Sequence, residues 1–230
     1  MSLFAIADLH LSGGDDKPMD IFGPQWDRHD QRIEAAWRET VGPEDTVLIA
    51  GDISWAMQLE RAAADLWRIG QWPGRKVICK GNHDYWWSAI SRVRALLPEG
   101  MIALQHDAAD LGDRVVCGTR GWMIPTEAQP LSETDEKLYR REAQRLEMAL
   151  DAAERIAKGR PLWVMMHYPP LTMTDRENLF TRLLEQRRPE AVVYGHLHGA
   201  GIRAGFTGEH RGVRYILSSC DSIGFRPLRL

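Results

Sequence analysis

Short apolar runs alternate along the chain with segments in which apolar residues recur every three or four positions. Seven runs predict strands, at 3–7, 46–50, 76–80, 114–118, 162–166, 191–194 and 213–219. Several are apolar at every position, which is typical of strands buried on both faces. Five segments predict helices, at 27–40, 55–70, 86–96, 133–158 and 175–187. This alternation predicts an α/β fold with largely parallel strand pairing.

The segment 133–158 gives the clearest helical pattern. Ser132 just before it and Asp135 in its first turn have the spacing of a capping box. Gly159 and Pro161 follow the last apolar position, where they would end a helix. We therefore predict one long helix over these residues.

The composition is that of a folded globular protein, because 44% of the residues are hydrophobic and 27% are charged. The formal net charge is -3 and the basic residues are scattered, which argues against an extended nucleic-acid surface. No apolar run approaches the roughly 18 residues of a membrane span. We expect one domain over residues 1–230 and no membrane association.

The cysteines indicate a reducing compartment. Cys79, Cys117 and Cys220 are odd in number, far apart and without a C-x-x-C pair, so neither a disulfide framework nor a thiolate zinc site is indicated. The N-terminal segment also lacks the basic and apolar regions of a signal peptide. These features favour a cytoplasmic location.

Residues that bind metals follow five of the predicted strands directly. They are Asp8, His10, Asp52, Asn82, His83, His167, His196 and His198. Because the carboxyl ends of strands in an open α/β sheet face one crevice, we expect a single site. Without His83, the set of two Asp, one Asn and four His contains no thiolate and suits Mn, Fe, Zn or Co. Seven side chains are too many for one ion and about right for two ions that share a carboxylate.

The motifs occur in the order D-x-H, G-D, G-N-H-D, a His after a strand, and G-H-x-H, from Asp8 to His198. This order resembles that of the calcineurin-like metallophosphoesterase superfamily. The resemblance implies a four-layer αββα sandwich of two mixed β-sheets flanked by helices. It implies a first metal bound by Asp8, His10, Asp52 and His198. It implies a second metal bound by Asp52, Asn82, His167 and His196.

The resemblance also implies the activity. The protein would be a dinuclear metal-dependent phosphoesterase, with manganese the favoured metal, in which a metal-bridging hydroxide attacks phosphorus. His83 would serve as the catalytic general acid for the leaving oxygen. The substrate would be a phosphorylated small molecule or nucleotide, either a phosphomonoester or a phosphodiester. The loops 11–26 and 121–134 carry no readable motif and would determine which substrate is bound.

Two alternative functions remain on the same fold. Protein Ser/Thr phosphatases continue the second motif to G-D-x-x-D-R-G, whereas residues 51–57 read GDISWAM, so the Asp-Arg pair is missing. A non-catalytic protein-binding scaffold, like the retromer subunit of the superfamily, would have no need of His83.

The residues after His83 have competing interpretations. Asp84 is favoured as the N-cap of a helix that starts at Tyr85, over a role in orienting His83. For Trp86 and Trp87, packing is favoured over stacking on a nucleobase.

Three further residues match no ligand position. Arg120 follows a strand and could contact substrate phosphate or form a surface ion pair. His29 and His106 are interpreted as surface or structural residues.

Overall fold

The computed structural model describes residues 1–13, 17–126 and 130–230. These residues form two compact units, one of Met1–Ala103 with Ser218–Leu230 and one of Leu104–Leu217. Residues 14–16 and 127–129, which belong to the two loops predicted to select the substrate, lie outside the described residues.

The first unit is built on a five-stranded mixed sheet. Its strands are β1 (Leu3–Ile6), β2 (Thr46–Ile49), β3 (Arg75–Cys79), β4 (Met101–Leu104) and β11 (Leu228–Arg229), in the spatial order β11-β1-β2-β3-β4. β1 pairs in parallel with β2, and β2 with β3, whereas β11 is antiparallel to β1. The helices of this unit are α1 (His29–Thr40), α2 (Leu59–Gly70) and α3 (Ile90–Leu96).

The second unit is built on a six-stranded mixed sheet. Its strands are β5 (Asp107–Asp110), β6 (Val115–Thr119), β7 (Leu162–Met166), β8 (Ala191–Tyr194), β9 (Gly208–His210) and β10 (Val213–Leu217), in the order β5-β6-β7-β8-β10-β9. The four inner strands pair in parallel, and the two edge strands are antiparallel to their neighbours. Its helices are α4 (Glu133–Ala157) and α5 (Leu179–Arg187).

Apolar periodicity explains how the helices pack. In α2 the apolar residues Leu59, Ala62, Leu66 and Ile69 are buried, at steps of three or four positions that place them on one helix face. In α4 the buried residues follow the same period, and Ser132 caps the helix by accepting a hydrogen bond from Asp135 N at 3.1 Å. The apolar strands β2, β7 and β8 are buried at every position.

The predicted α/β class, with two mixed sheets flanked by helices, is confirmed. The seven predicted strands and five predicted helices are all present, although three helices begin four residues later than predicted, at Leu59, Ile90 and Leu179. The strands β4, β5, β9 and β11 were not predicted. All four lie at sheet edges, and stretches such as DAAD and GEH lack the apolar pattern of a buried strand.

The three cysteines all lie in the described part of the chain and are free, buried thiols. Burial raises the pKa of each thiol well above its usual value. The Sγ atom of Cys220 donates to the Asp8 carbonyl at 3.0 Å.

Within the described ranges, no helix has both the length and the apolar character needed to cross a bilayer. The longest, α4, carries charged residues along its exposed side.

Candidate metal centre

In the first unit, the predicted ligands lie at the carboxyl ends of three neighbouring strands. Asp8 and His10 follow β1, Asp52 follows β2, and Asn82 follows β3. The first two loops are hydrogen-bonded to each other, because Asp8 N donates to Gly51 O at 2.9 Å and His10 N donates to Asp52 O at 3.0 Å. His10 Nε2 lies 3.8 Å from Asp52 Oδ2. The parallel pairing of these strands therefore brings an imidazole and a carboxylate together.

The backbone at these positions has an uncommon conformation. Asp8, His10 and Asp52 are buried and have φ angles of 62°, 44° and 51°. Residues other than glycine adopt this left-handed region uncommonly, and such positions cluster at functional sites, where the surroundings hold them. The left-handed backbone therefore occurs at residues that the motif order indicates as metal ligands.

The carboxylate of Asp84 holds the loop that carries Asp52. Its Oδ2 accepts from Asp52 N at 2.9 Å and from Gly81 N at 2.7 Å. Its Oδ1 accepts from Ile53 N at 2.8 Å, Ser54 N at 3.2 Å and Trp86 Nε1 at 2.9 Å. Asp84 is fully buried. The predicted N-cap role of Asp84 is wrong, because α3 begins only at Ile90 and the carboxylate bonds to a loop about 30 residues earlier.

The G-N-H-D turn also fixes the Asp52 side chain. His83 N donates to Asp52 Oδ1 at 2.8 Å. A Cβ atom on Gly81 would lie 2.0 Å from Asp52 Oδ1 and 2.2 Å from Asp52 N. The glycine is required because these two loops approach more closely than any side chain allows.

An aromatic residue contacts both His10 and His83. The Trp55 ring stacks on His10 with centroids 4.8 Å apart, and its centroid is 4.6 Å from that of His83. The two imidazole centroids are 5.7 Å apart. The sequence pattern placed Trp55 in a helix and did not indicate this role, since stacking depends on the path of the loop before α2.

Trp86 and Trp87 belong to the hydrophobic core of the first unit. Both are buried, and their ring centroids are 5.2 Å apart. The packing interpretation is confirmed and the stacking interpretation is wrong, because neither ring presents a face to solvent.

In the second unit, histidines follow two adjacent parallel strands. His167 follows β7, while His196 and His198 follow β8. His196 Nδ1 lies 3.3 Å from His167 Nε2, and the Tyr168 ring centroid is 4.2 Å from that of His196. His196 has a φ of 75°, so a fourth predicted ligand has the left-handed backbone. Two imidazole nitrogens thus lie close together at the carboxyl ends of two neighbouring strands.

The structure resolves two of the open interpretations. His29 is buried, with Nε2 3.0 Å from the Leu9 carbonyl, and burial lowers its pKa, so the structural interpretation holds. Arg120 lies 3.6 Å from Glu142 Oε1. Arg120 thus forms an ion pair, as one of its two interpretations held, but its partner Glu142 is fully buried and not at the surface.

The donor groups in each unit fit divalent metal ions. Buried carboxylates cost free energy unless cations or hydrogen bonds compensate them, and a divalent ion beside Asp8 and Asp52 would do so. Imidazole and carboxylate together suit transition metals. Asp8, His10, Asp52 and His167 are buried, and the side chains in each unit could hold such ions.

The sequence profile of the calcineurin-like phosphoesterases matches residues 1–200. The chain belongs to this family. The family name describes enzymes that hydrolyse phosphoric esters.

Individual relatives match a shorter part of the sequence than the family profile does. The chain is 39% identical over 80 residues to the Gene 66 protein of Mycobacterium phage L5, and 38% identical over 79 residues to that of phage D29. The matched region spans 34% of this chain and 37% of the L5 protein. The chain therefore spans less than two fifths of the length of the relatives that it matches.

Two solved structures show the same fold. A protein of unknown function from Aquifex aeolicus has a TM-score of 0.55 at 15% identity, with 99% of this chain and 95% of that chain covered. Phosphopantetheinyl hydrolase from Mycobacterium tuberculosis has a TM-score of 0.55 at 16% identity, with 93% and 87% covered. At this identity, the likeness concerns the fold.

Proposed function

We propose that the predicted ligands form one dinuclear metal site and that residues 1–230 act as a single metallophosphoesterase domain. The observation that carries the proposal is the pairing of ligand atoms at strand ends in each unit. His10 Nε2 and Asp52 Oδ2 are 3.8 Å apart, and His196 Nδ1 and His167 Nε2 are 3.3 Å apart. Family membership supports a common role in metal binding for the ligands of the first unit and those of the second.

The proposed ligand sets follow the family motifs. The first ion would be held by Asp8, His10, Asp52 and His198. The second would be held by Asp52, Asn82, His167 and His196. Manganese is the favoured metal, and Fe, Zn or Co would also suit the donors. When bound, the ions supply a water of lowered pKa for attack on phosphorus and positive charge for the phosphoryl oxygens.

His83 is the proposed general acid. Its ring lies next to Trp55 and 5.7 Å from the His10 ring, and its backbone N–H holds the Asp52 carboxylate. The proton donor is thereby fixed relative to the proposed bridging ligand. A protonated imidazole there would give its proton to the leaving oxygen of the ester.

The proposed substrate is a phosphorylated small molecule or nucleotide in the cytoplasm, cleaved as a phosphomonoester or phosphodiester. The absence of the Asp-Arg pair from residues 51–57 supports this class over a phosphoprotein. The three buried free thiols suit a reducing compartment. The M. tuberculosis neighbour is named for hydrolysis of a phosphopantetheinyl group, which supports a small phosphoester as substrate.

The test is hydrolysis of p-nitrophenyl phosphate and bis(p-nitrophenyl) phosphate by the full chain, stripped of metal and reloaded with Mn²⁺. We expect hydrolysis of at least one ester and loss of activity in EDTA. Inactivity on both esters with metal bound would refute the proposal and favour the scaffold alternative. Faster cleavage of a phosphoseryl peptide than of either ester would favour the protein phosphatase.

A further inference from the structure

Three arginines converge on a single carboxylate oxygen in the second unit. Glu142 Oε1 lies 2.7 Å from Arg145 Nη1, 3.6 Å from Arg120 Nη2 and 4.0 Å from Arg141 Nη2. Glu142 Oε2 accepts a hydrogen bond from Thr119 Oγ1 at 2.9 Å. We call Arg120, Arg141 and Arg145 the arginine cluster.

The arginine cluster has an excess of positive charge. Three positively charged guanidinium groups surround one negatively charged carboxylate. The cluster together with Glu142 therefore carries two positive charges in excess. Like charges held this close repel, and a bound anion would relieve that repulsion.

The arginine cluster is open to solvent on one side. Glu142 lies at its base and is fully buried, whereas the side chains of Arg120, Arg145 and Arg141 are 19%, 34% and 50% exposed. A ligand can therefore reach the guanidinium groups without displacing the carboxylate.

Arg120 is held in place beside the end of β7. Its guanidinium lies over the Trp122 ring, 4.5 Å from the centroid. Its carbonyl accepts hydrogen bonds from His167 N at 3.0 Å and Tyr168 N at 2.9 Å. The backbone of Arg120 is thus next to the strand end that carries the predicted ligand His167.

We propose that the arginine cluster binds a second phosphate of the substrate, distinct from the phosphate whose ester is hydrolysed. This assignment to the substrate rests on the proposed function. The planar fork of arginine binds phosphate oxygens in pairs, and three such forks suit a doubly charged group or a diphosphate. The substrate class is then a phosphoester that carries a further phosphate or diphosphate.

Calorimetric titration of inorganic pyrophosphate into the metal-stripped full chain tests this site directly. We expect binding by the wild type and a loss of about tenfold or more in Arg120→Gln and in Arg141→Gln, since each removes a charged hydrogen-bond donor. Arg140→Gln is the matched control. It removes the same charge from the same helix, but Arg140 is 66% exposed and pairs with Glu136.

The proposal is overturned if the wild type does not bind pyrophosphate, or if Arg140→Gln weakens binding as much as Arg141→Gln. Circular dichroism checks the fold of each variant. Arg141 is half exposed, so its variant keeps the test decisive should Arg120→Gln fail to fold.

A second measurement separates this proposal from the proposed function. In the Mn²⁺-loaded enzyme, pyrophosphate should inhibit p-nitrophenyl phosphate hydrolysis more weakly in Arg141→Gln than in the wild type. Equal inhibition of both would overturn the assignment to the substrate. If hydrolysis is absent while the titration gives the expected pattern, the proposed function fails and the phosphate site stands.

Discussion

Replacing Asp84 by Asn tests whether this carboxylate holds the Asp52 loop. Asn has almost the same shape, but an NH₂ group takes the place of one oxygen and cannot accept a hydrogen bond. Oδ2 of Asp84 accepts from two backbone N–H groups, and Oδ1 accepts from two more and from Trp86. In either orientation of the amide, at least two buried donors lose their acceptor.

The expected loss of stability is large. A hydrogen bond to a charged group contributes about 1.5–3 kcal/mol, so losing two costs at least roughly 3 kcal/mol. That is a substantial part of the roughly 5–15 kcal/mol by which native proteins are stable. For a chain of this size, each kcal/mol moves the melting temperature by about 2–4 °C, so we expect a fall of about 6–12 °C.

The assay is urea and thermal unfolding of wild type and Asp84→Asn in EDTA, so that metal binding does not contribute to the difference. Asp113→Asn is the control, because the Asp113 side chain is half exposed and pairs with the neighbouring Arg114. We expect Asp113→Asn to change stability by less than about 0.5 kcal/mol. An Asp84→Asn variant within about 1 kcal/mol of wild type would refute the role assigned to the carboxylate.

Three further changes have defined outcomes. Gly81→Ala should abolish tight Mn²⁺ binding in calorimetry, because the new Cβ would clash with Asp52, whereas Gly201→Ala, with nothing within 4 Å of its Cβ, should bind normally. His83→Ala should keep its metal yet lose about 10²–10⁴-fold in turnover of an alkyl phosphate and less of p-nitrophenyl phosphate; equal losses would exclude general-acid catalysis. Burial lowers the pKa of Lys76 to about 8. The unfolded chain then binds more protons between pH 8 and about 10.4, so unfolding free energy should rise with pH there in wild type and rise less in Lys76→Met; identical slopes would contradict this.

The sequence predicted well those features that depend on neighbouring residues. Apolar runs located the inner strands, and the polar residues after them located the ends of β1, β2, β3, β7 and β8, because both signals lie within a few positions. The α/β class followed from the same alternation.

Features that depend on distant contacts could not be predicted in this way. Asp84 was interpreted as a helix cap, since Asp before a helical pattern favours that role, but its donors at 52–54 come from another loop. Arg120 meets Glu142 and Arg145 only because α4 packs near the end of β6. The pairing partners of these groups are set by the tertiary fold, which local periodicity does not contain.

The buried thiols make the chain suitable for site-specific labelling. Alkylating reagents react with exposed thiolates, and Cys79, Cys117 and Cys220 are buried with raised pKa values. A cysteine introduced at an exposed position, such as Met148, which is 53% exposed on α4, would react first. A fluorophore or spin label placed there would report on α4, which carries Arg141 and Arg145, with all three native cysteines left in place.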